Sequence, residues 1–224
     1  MPKHRGVRVA RSELELLNRF PGTREELLAV AAAMNVSPHE HVFLSEEATE
    51  THVGQLNRSG RLGSAEVLSF ATHGLLAGEL QGLTQPALVL TPPSSPTDED
   101  DGLLSLEDIL HLNLARTTWV ILSACNTAGG EDSGDNLTGL ARAFFFAGAK
   151  ALLVSQWSVD DRATQFLMTE TFKYYAGNTS NTPAQALRRG MLAVMAEATS
   201  NPEHAYFAHP FAWAAFFLVG EGRQ

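Results

Sequence analysis

The sequence has little cysteine, little basic charge and no long apolar run. A single cysteine, Cys125, occurs in 224 residues, which excludes an internal disulfide framework and any CxxC metal site. Acidic residues outnumber basic ones by 25 to 16, giving a net charge of -9, and this argues against a protein that binds nucleic acid by neutralising phosphates. The longest apolar run, residues 211–219, is far shorter than the roughly 18 residues that a membrane helix needs.

What is present is the composition of a folded, globular protein. The hydrophobic fraction is 44% and the charged fraction is 18%, so a chain of this length can bury a sizeable core without disulfides. No apolar segment follows the basic N-terminus, and no secretory signal is predicted. His39 and His41 have no third ligand nearby, so we expect no metal site. The chain is predicted to be cytoplasmic. We expect it to need no cofactor and to bind neither a membrane nor nucleic acid.

Apolar segments alternate with helical patterns along most of the chain. Strands are predicted at residues 41–44, 67–71, 87–90, 119–122, 151–154 and 211–219. Helices are predicted at residues 23–35, 46–57, 105–110, 137–147, 160–175 and 182–198. Strands that are apolar throughout are typical of a mostly parallel sheet with helices on both faces, so we predict an α/β fold. Thr23 and Glu26 have the spacing of a capping box at the start of the first helix.

Two predicted strands end in residues capable of chemistry. The strand from residue 67 is followed by His73 and Gly74, and the strand from residue 119 is followed by Cys125. Ligands of open α/β sheets bind beyond the carboxyl ends of the strands, so His73 and Cys125 would meet at one edge if these strands are parallel neighbours. The two residues are 52 positions apart (73 to 125), close to the spacing of roughly 50 in caspases.

A Cys–His pair of this kind is suited to acyl transfer. A free thiol is only a few per cent thiolate at neutral pH, and an imidazole within reach can take its proton or stabilise the thiolate. The developing oxyanion needs hydrogen-bond donors, which the backbone N–H groups of Gly74 and Cys125 could supply. The alternative is that Cys125 is an inert buried residue and His73 an ordinary polar residue at a strand end.

Five ordered segments resemble CHAT domains, which are caspase-like peptidases often attached to tetratricopeptide (TPR) repeats. The segments are residues 70–74 (FATHG), 122–127 (LSACNT), 139–149 (GLARAFFFAGA), 156–161 (QWSVDD) and 211–216 (FAWAAF). The similarity runs from about residue 20 to the end. It divides the chain into an N-terminal segment, residues 1–19, read as a remnant or a flexible extension, and a CHAT domain, residues 20–224.

The resemblance implies a caspase-like three-layer sandwich related to separases and gingipains. It also implies a cysteine endopeptidase in which Cys125 is the nucleophile and His73 handles the proton. The N–H groups of Gly74 and Cys125 would form the oxyanion hole. The expected substrates are proteins or peptides, and the expected setting is a bacterial regulatory or defence-type system. The expected partners are a TPR-containing or sensor protein, or another copy of the chain.

The resemblance also suggests a preference for a basic residue before the scissile bond. Separases carry a similar block whose final Asp is associated with binding a basic side chain, and that position is Asp161 here. A partly desolvated carboxylate recognises Arg or Lys selectively. Asp160 is a weaker candidate for the same pocket, and Trp157 could form its wall. The alternative is that both aspartates begin the next helix, where carboxylates favour the helix dipole. Ser123 replaces the Asp that metacaspases carry two residues before the cysteine.

A second function stays open beside the peptidase. CHAT domains usually include a strand and hairpin before Pro21-Gly22, and residues 1–19 contain little apolar sequence to supply them. TPR repeats are also missing from the sequence. These departures motivate a catalytically silent CHAT-like module that binds or docks peptides, and they predict an exposed sheet edge. A nucleotide-binding domain is disfavoured because no strand is followed by a P-loop or GxGxxG pattern.

Overall fold

A computed structural model describes residues 9–17, 22–97, 99–123, 134–157 and 160–220. The helices in these ranges are α1 (Arg11–Glu15), α2 (Thr23–Ala33), α3 (Pro38–His41), α4 (Glu50–Arg58), α5 (Arg61–Ser64), α6 (Leu106–Leu110), α7 (Gly134–Phe146), α8 (Asp161–Gly177) and α9 (Pro183–Ser200). The strands are β1 (Val67–Phe70), β2 (Gly74–Leu75), β3 (Ala87–Val89), β4 (Leu103–Ser105), β5 (Trp119–Leu122), β6 (Ala151–Ser155) and β7 (Phe216–Gly220). Short 3-10 turns occur at Ser45–Glu47, Pro202–Ala208 and Pro210–Ala212.

The main sheet has four strands in the order β1-β5-β6-β7. β1, β5 and β6 are parallel, and β7 runs antiparallel to β6. A second sheet is antiparallel, in the order β2-β3-β4. The prediction of an α/β fold with a mostly parallel sheet is therefore confirmed.

The main sheet is buried on both faces, which explains why its central strands are apolar throughout. Along β5, Val120 and Leu122 pack with helices α5 to α7, in what we call the α7-side core. Trp119 and Ile121 alternate with them and pack with α2, α8 and α9, in the α8-side core. All four side chains of β5 are exposed by 1% or less. Alternation along the strand thus sends neighbouring residues into opposite cores.

The long helices α8 and α9 cover one face of the sheet and pack against each other. Leu167 and Phe172 from α8 and Leu187 and Val194 from α9 are all buried in the α8-side core. Thr182 caps α9 and Pro183 is its first residue, as the sequence predicts. Neither of these helices, nor any other in the described ranges, combines the length and apolar character needed to cross a membrane.

β1 forms one outer edge of the main sheet as the described residues build it. A cavity of about 560 Å³ lies beside this strand, and its lining includes Leu68 and Phe70 of β1 together with Val42 and Phe43. The strand predicted at residues 41–44 is wrong, because no β ladder in the described part of the chain includes these residues. Pro38 instead begins α3, a single helical turn that takes in His41.

The last predicted strand starts later than the apolar run suggests. The run begins at residue 211, but β7 begins at Phe216. Pro210 starts a 3-10 turn, and Nδ1 of His209 accepts the backbone N–H of Phe211 at 3.2 Å. Proline fixes φ near a helical value and has no N–H to donate to a ladder, which explains the late start.

A third, smaller apolar cluster involves the N-terminal part of the chain. Val9 lies just before α1 and Leu14 lies within it. Both pack with Leu75, Val89 and Leu103 of the antiparallel sheet. Both N-terminal side chains are buried, at 7% and 5% exposure. The antiparallel sheet, which begins directly after the segment that carries His73, is thereby covered on one side.

Candidate active site

The ends of β1 and β5 lie side by side. Val67 pairs with Trp119 and Phe70 pairs with Leu122, so the parallel ladder has a constant offset of 52 positions. The same offset separates His73 from Cys125 in the sequence. Cys125 itself lies outside the described residues. The structure therefore describes the His73 side of the predicted pair and the strand that leads to its partner.

His73 lies half-buried in the short segment between β1 and β2. Its carbonyl oxygen accepts the backbone N–H of Val89 at 2.8 Å. The hydroxyl of Thr72, one residue earlier, donates to the carbonyl of Val89. These two bonds attach the end of β1 to β3, and they fix where the backbone of His73 leaves the main sheet.

Gly74, the predicted oxyanion-hole donor, begins β2 and lies opposite Leu88 of β3. The bond from the Val89 N–H to the His73 carbonyl flanks this pair, which is the pattern of a non-hydrogen-bonded antiparallel pair. In such a pair the Gly74 N–H points away from β3. This geometry leaves the Gly74 N–H outside the ladder, as an oxyanion donor requires.

Asp160 is the N-cap of α8. Its Oδ1 accepts the backbone N–H groups of Arg162 and Ala163, each at 3.1 Å, and the hydroxyl of Tyr206 at 3.0 Å. Side-chain caps of this kind satisfy N–H groups that have no partner within the helix. The helix-start alternative therefore accounts for this carboxylate.

Asp161, the first residue of α8, is exposed and joins two helix N-termini. Its Oδ2 accepts the backbone N–H of Gly22 at 3.1 Å. Gly22 is the residue before α2, and a Cβ atom built there would lie only 2.5 Å from the Cβ of Asp161. The close approach brings the first turn of α2 against the start of α8.

Trp157, the predicted pocket wall, lies after β6 and is half-buried. Its indole Nε1 donates to the carbonyl of Phe211 at 3.0 Å, and its ring stacks on the Phe211 ring at a centroid distance of 5.8 Å. Phe211 remains 55% exposed. The pair forms an aromatic surface ahead of β7, close in sequence to Asp160 and Asp161.

Glu26 is a buried carboxyl group that the capping-box interpretation did not recognise as part of a site. α2 begins at Thr23, and its N-cap is Gly22, with no side-chain bond at the cap. The side chain of Glu26 is instead buried, with 5% exposure. One signal was available in the sequence, because Glu26 lies four positions before the core residue Val30 and so shares its helix face.

Glu26, Ser123 and Asp161 face one another in what we call the acidic corner. Burial raises the pKa of Glu26 from 4.5 to about 7; the Ser123 hydroxyl lowers it in part and the charge of Asp161 raises it. Neither Oε1 of Glu26 nor Oγ of Ser123 has a well-formed hydrogen bond within the described residues. The hydroxyl thus faces the carboxyl without forming a good bond to it. Among the residues that the structure describes, no group of three or more metal-ligating side chains is placed to hold an ion.

Comparisons with known proteins identify a family model and two relatives to which the chain is similar. The family model described as CHAT domain matches residues 4–221. Tetratricopeptide repeat protein 28 of Mus musculus is 30% identical over 235 residues, which cover 90% of this chain and 8% of the relative. Tetratricopeptide repeat protein 28 of Homo sapiens is 25% identical over 230 residues, with the same coverage. The chain thus spans 8% of the length of these relatives.

Proposed function

The chain belongs to the CHAT domain family, and from this premise we propose that it is a cysteine endopeptidase acting on protein or peptide substrates. The observation that carries the proposal is the shared offset of 52 positions between the β1–β5 ladder and the His73–Cys125 spacing. Because ligands bind at the carboxyl ends of parallel strands, two residues at equivalent positions after neighbouring strands are suited to act on one substrate.

In the proposed reaction, His73 takes the proton of the Cys125 thiol, and the thiolate attacks the scissile carbonyl carbon. The N–H groups of Gly74 and Cys125 donate to the oxyanion that forms. His73 then gives its proton to the leaving amine, the peptide bond breaks, and an acyl-thioester remains on Cys125. Water activated by His73 hydrolyses the thioester and returns the free thiol.

A basic side chain before the scissile bond is the preference that the described residues favour. The exposed carboxylate of Asp161 accepts the Gly22 N–H through Oδ2, whereas Oδ1 of Asp160 accepts two N–H groups of α8 and the Tyr206 hydroxyl. We therefore assign direct recognition to Asp161, leave Asp160 as its structural support, and assign Trp157 to the wall of the pocket. The net charge of -9 favours encounter with basic substrates through long-range attraction.

Cleavage of fluorogenic peptides tests the proposal directly. Peptides with Arg, Lys or Asp before the scissile bond are incubated with the wild type, with Cys125→Ala and with His73→Ala. We expect cleavage of the Arg and Lys peptides by the wild type only. Because Cys125 is the single cysteine, intact mass after treatment with an Arg-containing peptidyl electrophile reports its labelling without ambiguity. If the wild type shows no cleavage and no labelling that depends on Cys125, the peptidase proposal is wrong.

A silent peptide-docking module is the second candidate, and it is favoured by the relatives, which are named for tetratricopeptide repeats. They also support the proposal that this domain works together with TPR repeats, on its own chain or on a partner. Binding of an Arg-containing peptide by wild type and Cys125→Ala alike, without cleavage by either, would establish this candidate instead. The bacterial setting and the pairing with another copy stay predictions.

A further inference from the structure

We propose that Glu26 is the second carboxylate of the substrate-recognition site, and that with Asp161 it selects the guanidinium of arginine over the ammonium of lysine. The inference rests on the proposed function for its substrate, and it extends that function to a residue the family motifs do not supply. Three features of the acidic corner support the proposal. They are two buried oxygens without a well-formed hydrogen bond, the convergence of α2, β5 and α8, and the presence of two carboxyl groups.

The first feature is a pair of buried polar oxygens, neither of which has a well-formed hydrogen bond. Oε1 of Glu26 and Oγ of Ser123 are both inaccessible to solvent, and within the described residues the Ser123 hydroxyl faces the carboxyl without well-formed geometry. Leaving a buried polar atom poorly satisfied costs free energy. A ligand that brings N–H donors to these two oxygens recovers that cost, so the corner is built to receive a donor-rich group.

The second feature is the position of the corner within the fold. Glu26 comes from the first turn of α2, Ser123 from the residue after β5, and Asp161 from the start of α8. The bond between the Gly22 N–H and Asp161 Oδ2 holds the two helices together at this point. Ser123 is two residues before Cys125 in the sequence, so the corner adjoins the carboxyl end of the strand that leads to the nucleophile.

The third feature is the charge that the corner presents. Asp161 is exposed and Glu26 is buried, so the corner offers a long cationic side chain one carboxylate at the surface and a second beneath it. A guanidinium offers five N–H donors in a planar fork and can bind both carboxylates and the Ser123 oxygen together. The ammonium of lysine is a compact point charge with three donors, and it matches two separated carboxylates less well.

The proposal predicts a pH-dependent affinity for a guanidinium. With a pKa of about 7, the ionised fraction of Glu26 rises from about one tenth at pH 6 to about nine tenths at pH 8. Affinity should therefore rise about tenfold over this range. Asp161 is the acidic group that faces Glu26 from α8, and Ser123, which faces it from the end of β5, carries no charge.

Binding of butylguanidinium to the full chain carrying Cys125→Ala tests the proposal without requiring catalysis. Chemical shifts of backbone amides give the dissociation constants of butylguanidinium and butylammonium at pH 6 and pH 8. We expect tighter binding of butylguanidinium, and a loss of about tenfold or more at pH 8 when Glu26→Gln is added, as expected for one charge-assisted hydrogen bond. The matched control is Glu25→Gln, which removes an exposed carboxylate from the same helical turn and should leave the constant unchanged.

A second measurement needs no substitution at Glu26 and so does not depend on how that variant folds. The carboxyl carbon resonance of Glu26 is followed against pH in the Cys125→Ala chain, with and without saturating butylguanidinium. Bound cation favours the ionised carboxylate, so the midpoint near pH 7 should fall toward 4.5. An unchanged midpoint, or equal affinity of Glu26→Gln and its parent for butylguanidinium, overturns the assignment.

The two proposals fail in different ways. Absence of cleavage that depends on Cys125, together with guanidinium binding that depends on Glu26, removes the peptidase and keeps the recognition site. Cleavage that depends on Cys125, together with binding that is indifferent to Glu26, keeps the peptidase and removes Glu26 from recognition. A pH slope that persists in Glu26→Gln assigns the titration to another group and contradicts the proposal.

Discussion

Among single residues, Glu26 has a consequence for stability that is separate from its proposed role in recognition. Its carboxyl is buried, and burial raises its pKa from 4.5 to about 7. Between these two pH values the folded protein binds more protons than the unfolded chain does. Stability therefore falls as the pH rises through this window, because ionisation of a buried acid is easier after unfolding.

Glu26→Gln should remove this pH dependence while preserving the shape of the side chain. We expect the wild type to lose on the order of 3 kcal/mol of unfolding free energy, relative to the variant, between pH 4.5 and pH 8. Urea denaturation at pH 4.5, 6, 7 and 8 measures the difference, and Glu25→Gln should follow the wild type. Parallel pH profiles for the wild type and Glu26→Gln would contradict the prediction.

The same residues show which parts of the site could be predicted from sequence. His73 could be identified because it directly follows a short apolar strand, and both features are local. The burial of Glu26 beside Ser123 and Asp161 depends on the packing of α2 on α8, which brings together residues that are distant in the sequence. The local sequence predicts that Glu26 caps the start of its helix, but packing against other elements buries its side chain instead.

Among the elements, α8 and α9 approach so closely that one position between them requires glycine. A Cβ atom at Gly190 would lie 2.9 Å from the backbone oxygen of Leu167 and would clash with Oγ1 of Thr171. Thr171 is completely buried, and a helix backbone cannot shift without disturbing its neighbours. The close contact is therefore a condition for the α8-side core.

Gly190→Ala should lower the free energy of unfolding by about 1–3 kcal/mol, the usual cost of an extra methyl group in a packed core. Gly177→Ala is the matched control, because a Cβ atom at Gly177 meets nothing within 4 Å. That substitution should raise the free energy of unfolding by up to about 1 kcal/mol, since alanine favours helix more than glycine does. Urea denaturation of both variants checks the pair, and equal stabilities would refute the packing argument.

The elements that could be predicted closely are those whose apolar residues have no competing local signal. β5 has the bounds that its apolar run predicts, and β6 differs by one residue. β7 does not, because Pro210, directly before the apolar run, begins a turn that extends into it. β2 and β4 were not predicted, since strands of two and three residues carry too little periodicity and are set by pairing with β3.

At the scale of the whole molecule, one sheet separates two apolar cores that share its strands. Leu152 and Leu153 are consecutive residues of β6, and both are completely buried. Leu152 belongs to the α7-side core and Leu153 to the α8-side core. Each core is thus built on the same four strands, and a loss of packing on one face loosens strands that the other face requires.

Leu152→Ala and Leu153→Ala should therefore each lower the free energy of unfolding by about 2–5 kcal/mol, the usual cost of a buried Leu→Ala change. Both should also shift one and the same transition. Far-ultraviolet circular dichroism follows the whole molecule during heating. Tryptophan fluorescence follows one face, because Trp119 is buried in the α8-side core and Trp157 and Trp213 pack against it. Coincident curves in both variants are expected, because neither helical layer retains a surface to pack on once the sheet is lost. An early fluorescence transition in Leu153→Ala alone, with the dichroism transition left in place, would show instead that the two layers unfold independently.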